Sequence, residues 1–169
     1  KTKMSKRHGA TSVDQYRKLG YLPEAIVNFL ALLGWSPVGE QEIFSIDELI
    51  EQFSMDRVAK NPAVFDIDKL NWINAQYMKK LSTAELTALV LPHLQAAEFV
   101  GQNPDAGQLD WLEKVVGVVR EYISYAAQIV DVVPMFFADS IEFEDDAAKQ
   151  VLLDSDVPKV MEAFCSKLQ

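Results

Sequence analysis

Apolar residues that recur every three or four positions are the feature that most constrains how this chain can fold. In the stretch LPEAIVNFLALLGW, this spacing predicts a helix whose one buried face carries Ile26, Phe29, Leu30 and Leu33. The same period runs from Ile67 to Tyr77 and again from Leu109 to Ile123. No segment shows sustained alternation of apolar and polar residues, so we expect at most a short strand, such as EIF or AVF. The sequence therefore predicts an all-α fold.

Helix starts are marked by their capping residues. Ser45 with Glu48 and Ser82 with Glu85 have the spacing of capping boxes, in which each side chain satisfies a free backbone N–H group at the helix start. Pro23 suits the first turn of a helix because its fixed φ is already helical. We predict a multi-helix array of roughly eight to ten short helices in two subdomains, with a boundary near residue 80.

The two halves of the chain differ in charge, which limits where a polyanion could bind. The formal net charge is -9 over 169 residues. Residues 1–80 hold 11 Lys/Arg against 10 Asp/Glu, whereas residues 81–169 hold 5 against 15. The first half is the place for a polyanion-binding surface, because the acidic second half repels nucleic acid outside local patches.

The reactive residue types exclude several classes of protein. Cys165 is the single cysteine, so an intrachain disulfide framework is excluded and a reducing, cytoplasmic location is expected. His8 and His93 lie far apart in the sequence and form no ligand pair, so we predict no metal site. No apolar run reaches the roughly 18 residues that a membrane-spanning helix needs, and no membrane partner is expected.

The chain opens with KTKMSKRHG, a basic cluster around a serine. One interpretation is a frayed basic terminus. The other is a loop around a polyphosphate, in which two lysines three residues apart offset the charge that grows as a phosphoanhydride bond breaks. The residues of this candidate loop are Lys3, Met4, Ser5, Lys6 and Arg7.

The pentapeptide KMSKR resembles the KMSKS signature of class I aminoacyl-tRNA synthetases. The block TSVDQYRKLGYLPEAIVNFLALLGWSP is similar to the segment that follows this signature in bacterial glutamyl-tRNA synthetases, and so is VFDIDKLNWINAQYMKK. Three blocks in the same order are more specific than the pentapeptide alone. The resemblance is strongest over residues 3–80.

The resemblance implies a division of labour along the chain. Residues 1–10 would form the KMSKS-type signature loop, with Lys6 contacting ATP. Residues 11–80 would form a helical stem-contact region. Residues 81–169 would begin a helical anticodon-binding domain. ATP and Mg would act in the intact enzyme, which joins glutamate to the 3' end of tRNA. Partners would be the catalytic domain of the same chain and the glutamate tRNA, with the glutamine tRNA as a second candidate.

The chain departs from the family pattern at both ends. It carries no nucleotide-binding domain with a His-Ile-Gly-His-type motif, and no further helical unit before Gln169. We therefore expect a monomeric C-terminal fragment, inactive by itself, that binds no cofactor.

Six residues are candidate tRNA contacts. One group consists of basic side chains beside the NPAVFD turn, and the other is a polar cluster in the segment that the resemblance places near the tRNA. Both groups are suited to binding backbone phosphates without reading sequence. These candidates are Tyr16, Arg17, Lys18, Arg57, Lys60 and Lys69.

Two alternatives stay open. An acidic all-α protein-interaction module, with an incidental basic N-terminus, would bind a partner protein through exposed helical grooves and would not bind tRNA. Glutaminyl-tRNA synthetase shares the class and the signature, but it continues into β-barrel domains, and the scarcity of strand signals argues against it.

Overall fold

A computed structural model describes residues 12–60, 63–138, 150 and 153–168. The all-α prediction is confirmed, since these residues contain nine α-helices and no strand beyond one isolated bridge between Trp35 and Val58. The helices are α1 (Val13–Lys18), α2 (Pro23–Gly34), α3 (Ile46–Gln52), α4 (Ile67–Met78), α5 (Thr83–Ala96), α6 (Ala106–Val119), α7 (Ile129–Val132), α8 (Pro134–Phe137) and α9 (Val157–Leu168).

The predicted helix starts are correct because they depend on local chemistry. The Ser45 side chain caps α3 and the Ser82 side chain caps α5, each in a capping box with the glutamate three residues later. Pro23 opens α2, as its fixed φ requires. Two further capping boxes begin α1 and α6, with Ser12 and Asp105 as the capping residues.

The chain divides into two compact units, Lys1–Phe137 and Ala138–Gln169. In the first unit α2 packs against α4 and α3, and α5 packs against α6 and α7. Its core contains a large cluster around Val90, Leu94 and Val116, and a second one around Phe29 and Ile73. The predicted bounds of the signature loop, the stem-contact region and the anticodon-binding domain stay predictions.

A small third cluster corrects the predicted buried face of α2. Trp35, Phe44 and Leu49 form this cluster between α2 and α3. Phe29 is buried as predicted, but the prediction for Leu30 is wrong, since 51% of that residue is exposed. The reason is that α2 is apolar on more than one side, and periodicity alone cannot tell which side faces the core.

Buried polar groups join the early part of the first unit to its later part. Asn74 in α4 accepts a hydrogen bond from the Leu22 backbone N–H (2.8 Å) and donates one to the Ser124 carbonyl (2.6 Å). Gly20 has φ +77°, and the Leu19 carbonyl accepts a 3.0 Å hydrogen bond from the Ala127 N–H. This tie between the turn at residues 19–22 and the segment at residues 124–127 sets the positions of α1 and α2.

The second unit contributes one described helix. α9 begins at Val157 and includes Pro158 in its first turn, where the missing N–H of a proline costs no hydrogen bond. Val160 and Met161 are exposed on it, and Lys159 pairs with Asp156 at 3.0 Å. Among the described helices, none combines the length and apolar content that a membrane crossing needs.

Candidate nucleic-acid interface

The predicted signature loop cannot be placed. Lys3, Met4, Ser5, Lys6 and Arg7 all lie outside the described residues. The candidate surface is therefore built from α1, from the turn at Met55–Arg57 and from the start of α4.

α1 presents two exposed cations beside one carboxylate. Arg17 and Lys18 lie in its last turn, and both pair with Asp14, at 2.7 and 2.9 Å. The hydrogen bonds from Lys18 and then Arg17 hold the pKa of Asp14 below its ordinary value of 3.8. Exposed ion pairs of this kind contribute little stability, so a phosphate can compete for the two cations at low cost.

Tyr16 occupies a different environment from the two cations that follow it. It is only 7% exposed, and its ring meets the Tyr21 ring edge to face at 5.2 Å. Burial raises the pKa of its hydroxyl. This placement argues against a direct contact with a nucleotide, because the ring anchors α1 to the core. Tyr16 is buried because its ring contacts Tyr21 and Phe65, and the local sequence does not reveal these contacts.

Arg57 and Lys60 lie on the connection between α3 and α4. Arg57 ends a short 3-10 turn, and its Nη2 donates a 2.9 Å hydrogen bond to the Pro37 carbonyl. Lys60 is exposed three residues further along the chain. One guanidinium nitrogen of Arg57 is thus engaged, while the Lys60 ammonium extends from the same loop.

Lys69 is the least available of the predicted cations. It forms an ion pair with Glu42 and lies over the Trp72 ring, with its Nζ 4.5 Å from the ring centroid. The cleft beside it, of about 690 Å³, is also lined by Glu40 and Asp66. Carboxylates therefore compensate the charge of Lys69 locally, and we interpret this residue as a structural contact rather than a phosphate ligand.

A second basic cluster, at the end of α4, was not among the sequence candidates. Lys79 pairs with Glu121 at 2.5 Å, and Lys80 is exposed with its Nζ 5.2 Å from the Tyr77 ring centroid. Arg120 donates to the carbonyls of Lys79 and Leu81, each at 3.0 Å. In the sequence, two adjacent lysines at this position indicate only that cations are favoured at a helix C-terminus. Arg120 is far from the two lysines in the sequence and contacts this cluster only in the folded chain, so the sequence analysis does not find it.

Buried hydroxyl and amide groups support the scaffold beneath these cations. The single hydroxyl hydrogen of Tyr77 is shared between the Asn28 Oδ1, at 2.9 Å, and the Phe44 carbonyl, and burial raises the pKa of Tyr77 to about 12. Asn28 in turn accepts from the Phe44 N–H and donates to the Glu42 carbonyl, at 2.7 and 3.0 Å. No group of metal-binding side chains occurs within the described ranges. These hydrogen bonds tie α4 to α2 and to the residues before α3.

Two family profiles match the chain. Residues 1–72 match the profile described as tRNA synthetases class I (E and Q), catalytic domain. Residues 85–169 match the profile described as an anticodon binding domain.

Curated relatives match nearly the whole chain. The glutamate–tRNA ligase of Desulforamulus reducens is 55% identical over 96% of this chain and 34% of its own length. The ligase of Heliobacterium modesticaldum is 56% identical over 99% of this chain and 34% of its own length. The Bacillus subtilis ligase is 46% identical over 99% of this chain and 35% of its own length.

A solved structure has the same fold. The crystal structure of a glutamate tRNA ligase from Elizabethkingia meningosepticum in complex with its amino acid matches with a TM-score of 0.70 and 31% identity, over 94% of this chain and 30% of that one. The chain spans about a third of the length of the curated relatives that it matches. From these matches, the chain belongs to the glutamate–tRNA ligase family of class I aminoacyl-tRNA synthetases.

Proposed function

We propose that this chain is a tRNA-binding part of a glutamate–tRNA ligase. In the intact protein, glutamate would be activated with ATP and Mg and then transferred to the 3' end of the glutamate tRNA, with the glutamine tRNA as a second candidate substrate. The observation that carries the proposal is the match of residues 85–169 to an anticodon binding domain, in a chain whose relatives are named glutamate–tRNA ligases. A cytoplasmic location and a monomeric state belong to the same proposal.

The described cations have separate roles within it. Arg17 and Lys18 on α1, and Arg57 and Lys60 on the α3–α4 connection, would contact phosphates of the tRNA backbone, because they are exposed and at most weakly paired. Lys69 would hold the α4 start against Glu42 instead. In the intact enzyme, the signature residues 3–7 would stabilise the leaving pyrophosphate.

The test is a titration of the chain with glutamate tRNA, glutamine tRNA and an unrelated tRNA over a series of salt concentrations. We expect saturable binding that weakens with salt, because each phosphate contact makes the slope of log K against log salt more negative by about 0.7–0.9. A double variant, Arg17→Ala with Lys18→Ala, should make that slope less negative by the amount of about one or two contacts. The pair Arg57→Ala with Lys60→Ala should act similarly.

A matched variant separates the loss of charge from other effects of substitution. Arg17→Lys with Lys18→Arg keeps both charges on α1 and should leave the slope unchanged. Lys69→Ala should reduce stability more than tRNA affinity, since its charge is compensated by Glu42. No binding of any tRNA at low salt would contradict the proposal, and so would an equal loss of affinity in the charge-preserving variant.

A further inference from the structure

The cations on α1 are held in place by residues from a distant part of the chain. α1 spans only Val13–Lys18, and a helix of this length is not stable in water without tertiary contacts. The Tyr16 ring supplies such a contact by meeting the Tyr21 ring edge to face at 5.2 Å, and the Tyr21 N–H donates to the Tyr16 carbonyl at 3.0 Å. The position of α1 therefore depends on the turn at residues 19–22 that follows it.

That turn is fixed by contacts with the segment at residues 124–127. The Tyr125 ring stacks on the Tyr21 ring, with the centroids 4.9 Å apart and the planes inclined by 15°. The Ala127 N–H donates a hydrogen bond to the Leu19 carbonyl at 3.0 Å. One ring contact and one backbone hydrogen bond thus hold the turn against a segment that comes much later in the sequence.

Asn74 in α4 joins the same two segments through one side chain. It is fully buried, accepts from the Leu22 N–H at 2.8 Å and donates to the Ser124 carbonyl at 2.6 Å. Both backbone groups would lose a partner if the segments moved apart, so the amide favours one geometry. We call the turn at residues 19–22, Asn74 and the segment at residues 124–127 the junction.

The junction crosses the division between the two family profiles. Its turn lies within residues 1–72, which match the catalytic-domain profile, and its later segment lies within residues 85–169, which match the anticodon-binding profile. Asn74 falls between the two matched ranges. A segment that matches an anticodon-binding profile therefore sets the position of cations in the part that matches a catalytic domain.

We propose that the junction positions α1 for tRNA binding, with Tyr125 and Asn74 acting through α1 on Arg17 and Lys18. The inference rests on the proposed tRNA-binding function, and it adds residues that act without contacting the tRNA. A tRNA that binds α1 and the anticodon-binding part together gains most when their separation is fixed beforehand. If α1 moved freely, binding would have to order it, and affinity would fall although every cation remained.

The first measurement is amide hydrogen exchange in the chain without tRNA. Tyr125→Ala removes the stacked ring and should release α1 locally. We expect the Leu19 and Tyr21 amides, which donate to α1 carbonyls, to exchange about tenfold faster relative to the α6 amides. Tyr125→Phe keeps the ring and should restore the protection of α1. Tyr125→Leu gives the same comparison if the alanine variant does not fold.

The second measurement is a titration with glutamate tRNA, arranged as a double-mutant cycle. Tyr125→Ala should weaken binding about tenfold, and Tyr125→Phe should restore it. Removal of the α1 charges by Arg17→Ala with Lys18→Ala should cause less than half the fold-loss in the Tyr125→Ala background that it causes in the parent, because mobile cations contribute less. Partial unfolding alone would reduce both affinities by one factor and leave the cycle additive.

A variant outside the junction supplies the control. Val115→Ala truncates a buried side chain on α6, so it should lower stability and still leave the tRNA affinity of the folded chain at the parent value.

Either of two results would overturn the positioning role while the parent still binds tRNA. One is unchanged exchange of the Leu19 and Tyr21 amides, relative to α6, in the Tyr125→Ala variant. The other is an equal fold-loss on removal of the α1 charges in both backgrounds. Failure of the parent chain to bind any tRNA would overturn the proposed function and the positioning role together, so the two kinds of failure are distinguished by the parent titration.

Discussion

Substituting Gly20 by alanine tests the tie between the turn at residues 19–22 and the segment at residues 124–127. A Cβ added at Gly20 would lie 2.4 Å from the Ala126 Cβ and 3.1 Å from the His93 Nε2 atom. The Ala126 side chain is a single methyl group on a buried backbone, so it cannot turn aside. Alanine at φ +77° is strained as well.

The two costs can be added from their usual magnitudes. Left-handed backbone costs about 1–2 kcal/mol in an alanine, and overpacking of this kind costs about 1–3 kcal/mol. Loss of glycine's freedom in the unfolded chain returns about 0.4–1 kcal/mol. We expect Gly20→Ala to lower the free energy of unfolding by about 2–4 kcal/mol.

Two other glycines supply matched controls. Gly39 has φ +90° but nothing within 4 Å of an added Cβ, so Gly39→Ala should show the strain alone, about 1 kcal/mol. Gly101 has neither feature, and Gly101→Ala should be close to neutral. The assay is urea unfolding followed by far-UV circular dichroism.

A compensating variant identifies the clash itself. Ala126→Gly removes the opposing methyl group, so the double variant with Gly20→Ala should recover about 1–3 kcal/mol relative to the sum of the single changes. The reasoning would be refuted if Gly20→Ala cost no more than Gly39→Ala, or if the cycle with Ala126→Gly showed no coupling.

Four further predictions concern the same unit. Asn74→Ala should lower the unfolding free energy by about 2–4 kcal/mol in the same urea assay, because it removes the hydrogen-bond partner of the partly buried Leu22 N–H and Ser124 carbonyl; a loss near zero would contradict this. Arg120→Lys should cost about 1–2 kcal/mol, since the shorter lysine cannot place its ammonium where Arg120 Nη2 donates to the carbonyls at the end of α4, whereas Lys114→Arg should be neutral. Hydrogen bonds from Ser82 hold the pKa of Glu85 below 4.5, so its contribution to stability is present above pH 4.5 and is lost as the pH falls through the lower folded value. Burial holds the pKa of His93 below 6.5, so the free energy of unfolding should fall as the pH drops below 6.5. His93→Gln should weaken this pH dependence when it is measured by thermal unfolding.

The sequence predicted the features that depend on neighbouring residues. Ser45 and Ser82 mark helix starts because their hydrogen bonds close within three residues, and Pro23 fixes its own φ. The family followed from contiguous sequence blocks. These inferences required no knowledge of how the helices pack.

The features that depend on distant contacts were not accessible in this way. Burial of Tyr16 follows from rings at positions 21 and 65, and the pairing of Lys69 follows from Glu42, which lies on another segment. Periodicity placed Leu30 beside Phe29 in the core because both are apolar, yet only the packing of α4 decides between them. The sequence identifies the candidate cations, but it does not show which of them are available to bind a phosphate.

The stacking of Tyr125 on Tyr21, with the ring centroids 4.9 Å apart, has a consequence for how the chain is made. A ribosome releases the turn that carries Tyr21 well before the segment that completes its surroundings. Closure of this loop of about a hundred residues must await the later segment, which makes the contact a late event in folding. During synthesis the early helices therefore expose aromatic surface until the second tyrosine emerges, a period in which a chaperone has a site to bind.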